Sequence, residues 1–216
     1  MPEKFLHANR TMAVVSTLAL QKVAEAKLPT RFGKFRIYGF QGRNGKGIEE
    51  AVVLRMGDLA GDPPPLVRIH SQCLTGDIFH SLRCDCRAQL ELSLAMIADE
   101  GRGLLIYEHK EGRGIGLLNK IRAYELQDQG ADTVEANELL GFEADLRDYE
   151  LPAQILQYFD VGRVRLLSNN PEKIQALENA GIIVAERVPC QVACDRTAEE
   201  YLRTKKIRMG HLLEGF

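Results

Sequence analysis

The sequence carries no excess of charge of either sign: 28 Lys and Arg oppose 30 Asp and Glu, for a formal net charge of -2. That balance argues against an extended nucleic-acid surface, so any phosphate has to be met in a local pocket. Cysteine is scarce: five in 216 residues are too few for a disulfide scaffold and leave one unpaired. No apolar run reaches transmembrane length, so a membrane partner is not expected. The run Met12 to Leu20 behind Lys4 and Arg10, with Ala24-Glu25-Ala26 after it, has the outline of a secretory signal. It is short, however, and Lys22 interrupts the approach to the small-residue box. Internal repeats, low-complexity tracts and linker-like stretches are also missing. What remains is an ordinary globular composition, 45% hydrophobic and 27% charged, with length for one sizeable domain. We read residues 19–216 as that domain and residues 1–18 as a mobile extension.

β-rich runs fall at Phe35–Phe40, Ala51–Met56, Leu66–His70, Gly103–Glu108, Val164–Ser168 and Ile182–Val188. The cluster Arg43-Asn-Gly-Lys-Gly47 between the first two predicts a hairpin. Leu90, Leu94 and Ile97 recur at helical spacing, with Gly101 placed to end that helix. Leu117, Ile121 and Tyr124 share a face of a second helix that stops near Gly130. A third runs from Pro171 to about Gly181. Alternating strands and helices with an early hairpin predict an α/β domain: a mixed β-sheet with flanking helices.

The few cysteines are crowded. Cys73, Cys84 and Cys86 fall close together, with Cys190 and Cys194 far downstream, a pattern of metal ligation in a reducing compartment. In an extended Cys84-Asp-Cys86 the two thiols project to the same side, and the loop from Cys73 can supply a third. Three soft ligands suit tetrahedral zinc with one position open to water, whose pKa the ion would lower. Two other readings stand beside this one. The thiols could be small buried hydrophobes, or His70 or His80 could close the shell and make the metal structural. His7 and His211, near the termini, read as solvent-facing.

Glu111-Gly-Arg-Gly-Ile-Gly116 follows a strand and opens a helix, so its amides and Arg113 could meet an anion. In Ser168-Asn-Asn-Pro-Glu-Lys173, Asn170 is a good N-cap and Pro171 suits the first helical turn. Taken alone, that segment reads as a well-capped helix with an exposed lysine. Asp145-Leu-Arg147-Asp148 reads either as a surface ion-pair cluster or as a proton acceptor beside a phosphate clamp. His109-Lys-Glu111 with Pro189-Cys190 and Cys194 approaches the zinc-deaminase signature. Here, though, three residues separate the cysteines where that signature needs two, and its halves lie far apart.

In order along the chain stand His70-Ser-Gln-Cys-Leu-Thr-Gly-Asp77, Arg83-Cys-Asp-Cys86, Glu111-Gly-Arg-Gly-Ile-Gly-Leu-Leu-Asn-Lys-Ile-Arg-Ala-Tyr124, Asp132-Thr-Val-Glu-Ala-Asn137 and Asn169-Asn-Pro171. Together they resemble GTP cyclohydrolase II, from about Ala19 to Leu213. The resemblance implies one zinc per chain on Cys73, Cys84 and Cys86, and magnesium with the triphosphate. It implies hydrolytic opening of the GTP imidazole ring, with formate and pyrophosphate released, as the first step of riboflavin biosynthesis. It implies a cytoplasmic homodimer. Tyr124 is then close to the reacting base, Asp145 the proton acceptor, and Arg147 the family's nucleophile at the α-phosphate. A guanidinium is a poor nucleophile, and a charge clamp accounts for the same position. Substrate contacts carried over are Arg68, Ile69, His70, Ser71, Gln72, Gln89, Glu111, Gly112, Arg113, Thr133, Ser168 and Lys173. Glu111 would accept from guanine N1–H and the 2-amino group. Three positions depart from the family: Gln72 for its glutamate, Arg87 for its glycine and Lys110 for its glutamine. A zinc-stabilised nucleotide-binding module without ring-opening activity is the alternative.

Overall fold

Runs such as Leu66-Val-Arg-Ile69 and Gly103-Leu-Leu-Ile-Tyr107 present apolar side chains to both faces of a strand, so both faces must be covered. In the computed structural model, which describes residues 20–44, 47–143, 145–192, 196–213 and 215, they are. The extension 1–18, the hairpin tip 45–46 and Cys194 lie outside the described residues. Strands β1 (Gln21–Thr30), β2 (Gly33–Asn44), β3 (Gly47–Met56), β4 (Leu66–Ser71), β5 (Gly103–Glu108), β6 (Arg163–Leu167) and β7 (Ile183–Val188) form one sheet. Its order is β1-β2-β3-β5-β4-β6-β7. The β1-β2-β3-β5 half is antiparallel and the β5-β4-β6-β7 half parallel, a mixed sheet of the expected class.

The helices are α1 (Leu74–Asp77), α2 (Cys86–Glu100), α3 (Leu117–Asp128), α4 (Thr133–Leu139), α5 (Glu150–Tyr158), α6 (Pro171–Asn179) and α7 (Arg196–Met209). Alternation along the strands divides the core. Val67, Ile69, Leu104 and Ile106 pack with Leu151, Ile155 and Leu156 of α5 and Leu177 of α6. Leu66, Leu105 and Leu167 pack with Ile97, Leu90 and Leu94 of α2 on the opposite face. Each fully buried Leu or Ile contributes roughly 2 kcal/mol relative to exposure. Gly101 ends α2 at φ 67, a left-handed cap that favours glycine.

The six predicted strands and three predicted helices are present. Strand β1 was missed because its first seven residues are all exposed, so no apolar alternation marks it. Lys22, Glu25 and Lys27 make it a charged sheet edge, which discourages pairing with another chain. Also unread were α1, of only four residues, and α4, although the latter has a full capping box of Asp132 and Glu135. Helix α5 carries Pro152 in its first turn, where a missing N–H costs little, and α7 has no strong apolar stripe.

The order β5-β4-β6 means that the chain leaves β4 to one side for β5, then returns past it to the other side for β6. Loops diverge at the carboxyl end of a strand in this position, and a ligand crevice opens there.

Candidate active site

The loops after β4, β5 and β6 meet at that crevice around a cavity of about 530 Å³. Each loop is one of the segments singled out in the sequence. Of the expected site residues, all but Ile69 and Asp145 line the cavity. The Ile69 side chain is fully buried in the α5/α6 core, and only its backbone serves the site. Asp145 reaches the site through Arg147.

The three cysteines come together, but not as an extended Cys-x-Cys. Cys86 is the first residue of α2 and Asp85 is its N-cap, at φ -96 and ψ 8, so the helix start directs the two thiols. A helix N-terminus also favours a thiolate. The three sulfurs lie within 4.8 Å of one another, Cys73 and Cys84 at 3.7 Å. Tetrahedral zinc with Zn–S bonds near 2.3 Å would hold sulfurs roughly 3.8 Å apart, so the donor set fits that ion. Gly76 is packed against them: a Cβ there would lie 2.8 Å from the Cys84 sulfur and 3.1 Å from that of Cys73. Among the described residues no histidine, aspartate or glutamate joins the trio. His80 is exposed, and His70 gives its Nε2 to both oxygens of Asp77 at 3.1 Å. Asp77, which the sequence reading passed over, also accepts from Tyr107 Oη at 2.7 Å and from the Cys73 amide at 3.0 Å. It fixes the first ligand loop. Hydrogen bonding with Cys84 and Cys86 draws the Cys73 thiol well below its usual range, with Lys120 assisting, while the same contact pushes Cys84 up to about 11.

Lys120 is a second residue that sequence reasoning missed, although it stands one helical turn before Tyr124. Its Nζ lies 3.1 Å from the Cys73 sulfur, 3.1 Å from Thr75 Oγ1 and 2.7 Å from Glu111 Oε1. Thr75 Oγ1 is in turn 3.2 Å from the Tyr124 hydroxyl. Glu111 also accepts from the amides of Leu74 at 2.6 Å and Gly112 at 3.1 Å. Gly112 and Arg113 both sit near φ 60, left-handed geometry that costs Arg113 roughly 1 kcal/mol. Two such residues in succession curl the backbone around the carboxylate.

At the other end, cations converge. Lys173 is not the exposed lysine that its segment suggested: it is buried, and its Nζ donates to the Ile69 carbonyl at 2.8 Å. The tertiary fold overrides the local pattern because α6 packs its first turn against β4. Burial, with Arg68 and Arg147 nearby, holds the Lys173 pKa well below that of a free lysine. Arg68 donates to the Leu167 carbonyl at 2.9 Å and to Gln89 Oε1 at 2.7 Å. Arg147 forks onto Asp145, with Nε 2.8 Å from Oδ1, and reaches Ser71 Oγ at 3.3 Å. Asp145 and Arg147 are thus a largely buried pair, not a surface cluster. Burial opposes both charges, but their mutual contact prevails, lowering the Asp145 pKa and raising that of Arg147. Glu108, fully buried behind them, has its pKa raised by burial, against the pull of Lys110, Lys173 and Arg147.

Gln72 and Lys110 line the cavity, whereas Arg87 does not. Arg87 pairs with Glu91 at 2.7 Å and donates to the Asp77 carbonyl at 2.8 Å. Lys110 donates to the Asp148 carbonyl at 2.6 Å and lies 3.5 Å from both Glu49 and Glu108. Cys190 sits apart, fully buried and 3.7 Å from Ser93 Oγ, and among the described residues it joins no group that could hold a metal. His211, expected to face solvent, instead lines the cavity.

The sequence model of the GTP cyclohydrolase II family matches residues 21–189. Relatives called GTP cyclohydrolase-2 are similar over most of their length. That of Teredinibacter turnerae is 54% identical over 198 residues, covering 92% of this chain and 98% of the relative. That of Salmonella typhimurium is 55% identical over 196 residues, covering 91% and 99%. That of Histophilus somni is 55% identical over 194 residues, covering 90% and 89%. Among the described residues no helix is long and apolar enough to cross a membrane.

Proposed function

The chain belongs to the GTP cyclohydrolase II family, and from that premise we propose that it opens the imidazole ring of GTP with zinc. Formate and pyrophosphate leave, and a diaminopyrimidine carrying a phosphoribosyl group remains, the first step of riboflavin biosynthesis. The observation that carries the proposal is the thiol trio set into a cavity wall that also carries Arg68, Arg147 and Lys173. Cys73, Cys84 and Cys86 hold the metal. When bound, zinc supplies Lewis acidity and acidified water at guanine C8.

The chain's own residues do the rest. Arg68, Arg147 and Lys173 receive the phosphates, with magnesium accompanying the triphosphate. Burial and then the repulsion of Arg68 and Arg147 depress the Lys173 pKa, and an anion relieves that repulsion. Arg147 acts as a clamp: a guanidinium held by Asp145 keeps its proton and stabilises charge at the α-phosphorus. Asp145 becomes a better proton acceptor once substrate draws Arg147 away from it. The Tyr124 hydroxyl, tied to Thr75, orients the base. Gln72, Gln89, Thr133 and Ser168 complete the polar lining. A homodimer in the cytoplasm belongs to the same proposal. Exposed Phe79, Leu82 and Leu118 support a partner surface.

Mass spectrometry of products from GTP, zinc and magnesium tests the activity. Formate, pyrophosphate and the diaminopyrimidine are expected together. Pyrophosphate without formate, leaving GMP, would reduce the protein to the alternative without ring-opening activity, a nucleotide-binding module that hydrolyses the α–β phosphate bond.

Selectivity is expected to rest on Glu111, within a limit set by its hydrogen bonds. A carboxylate accepts about four, and Glu111 already accepts three. One acceptor position remains for guanine, enough to leave it unpaired against adenine. Glu111→Gln should narrow the preference for GTP over ATP by roughly tenfold or more, read from kcat/KM on each nucleotide. Discrimination equal to that of the unmodified chain would remove Glu111 from base recognition.

A further inference from the structure

We propose that the C-terminal segment Arg196–Leu213 completes the nucleotide site and that His211 contacts the triphosphate. This rests on the GTP reading above, but concerns residues beyond the family-matched region, which ends at 189.

The segment is fastened beside the cavity at several points. Lys205 Nζ pairs with Asp85 Oδ1 at 3.2 Å, which ties α7 to the residue between two of the thiols. Arg208 pairs with Asp132 Oδ2 at 3.2 Å, at the cap of α4. Leu202 and Leu213 are buried. The Leu212 amide donates to the Asn169 carbonyl at 2.8 Å, so the chain after α7 lies against the loop that leads into Lys173. Thr204, Lys205 and His211 consequently form part of the cavity wall.

His211 is placed among cations. Lys205 of α7, Arg147 of the loop before α5 and Arg113 of the turn after β5 all bear on it. Its Nδ1 is buried without a hydrogen-bond partner among the described residues. Burial first, then those three charges, push its pKa down to about 3, so the ring is neutral in the empty site. A polyanion bound between the same cations cancels their repulsion and adds its own attraction, which opposes the effect of burial and favours the imidazolium. His211 then takes one proton from solvent and donates a charge-assisted hydrogen bond to a phosphate oxygen. The bound state then holds more protons than the free state, so triphosphate binding should tighten as pH falls through the raised bound-state pKa toward the free-state value of about 3.

The probe is inorganic triphosphate, measured by calorimetry in buffers of different ionisation heat, with guanosine as control. His211→Gln should bind triphosphate about tenfold more weakly and take up fewer protons, with guanosine affinity unchanged. Retained guanosine binding shows that the variant is folded. The phosphate's own titration occurs in both proteins and cancels in the difference. Equal triphosphate affinity and equal proton uptake would overturn the proposal, as would parallel loss of guanosine and triphosphate binding, the mark of a structural role. A chain that binds triphosphate through His211 yet releases no formate from GTP would instead overturn the ring-opening reading and leave this one standing.

Discussion

Cys84→Ser is expected to lose most of its zinc and to reduce formate release by roughly a thousandfold or more. Three thiols within 4.8 Å make one site, and among the described residues no histidine or carboxylate is placed to substitute for a lost sulfur. A serine hydroxyl is a hard, poorly ionised ligand at neutral pH, so two thiolates remain to hold the ion. Cys190→Ser is the matched control. Its thiol is fully buried against α2 and pairs with Ser93, so the variant should keep its zinc. Elemental analysis after gel filtration, with a formate assay on the same samples, gives both readouts. Zinc that survives in Cys84→Ser, or disappears from Cys190→Ser, would break the assignment and return attention to the downstream cysteines.

Arg147→Ala should damage the phosphate step at least as severely as ring opening, by roughly a hundredfold or more in pyrophosphate release. Two effects combine in it. The clamp is lost, and Asp145 is left as a largely buried carboxylate without its partner, a costly arrangement. Arg147→Lys separates the two possible roles. Lysine keeps the charge and loses the planar fork that now spans Asp145 and Ser71, so a clamp retains part of the activity. A nucleophile would lose nearly all of it. Formate and pyrophosphate should be followed in parallel in Cys84→Ser, Arg147→Ala and Arg147→Lys. Loss of both products in constant proportion across all three would mean one obligatory order, with no separable halves to the site.

Motifs whose chemistry is local were legible in the residues. The cysteine spacing pointed to a metal, Asn170-Pro171 to a helix start, and the glycine run before Leu117 to a close turn. Core strands were legible because burial on both faces demands continuous apolar runs. Exposed strand β1 offered no such demand. Lys173 was misread alone because helix-cap patterns say nothing about what lies across from the helix. His211 offered no signal at all.

By itself, then, the sequence determined the family, the mixed α/β class, the clustered cysteine trio and most of the residues that line the cavity. These rest on residue identity and short spacing, which a linear chain displays directly. Only the tertiary structure decided that the Ile69 carbonyl meets Lys173, that Lys173 is buried, that Asp77 and Lys120 contact Cys73, and that Thr204, Lys205 and His211 join the cavity wall. Each of those depends on segments tens of residues apart meeting at the crevice where β4 lies between β5 and β6. Such meetings are set by strand order and by burial on both faces of the sheet, which no local pattern in the chain encodes.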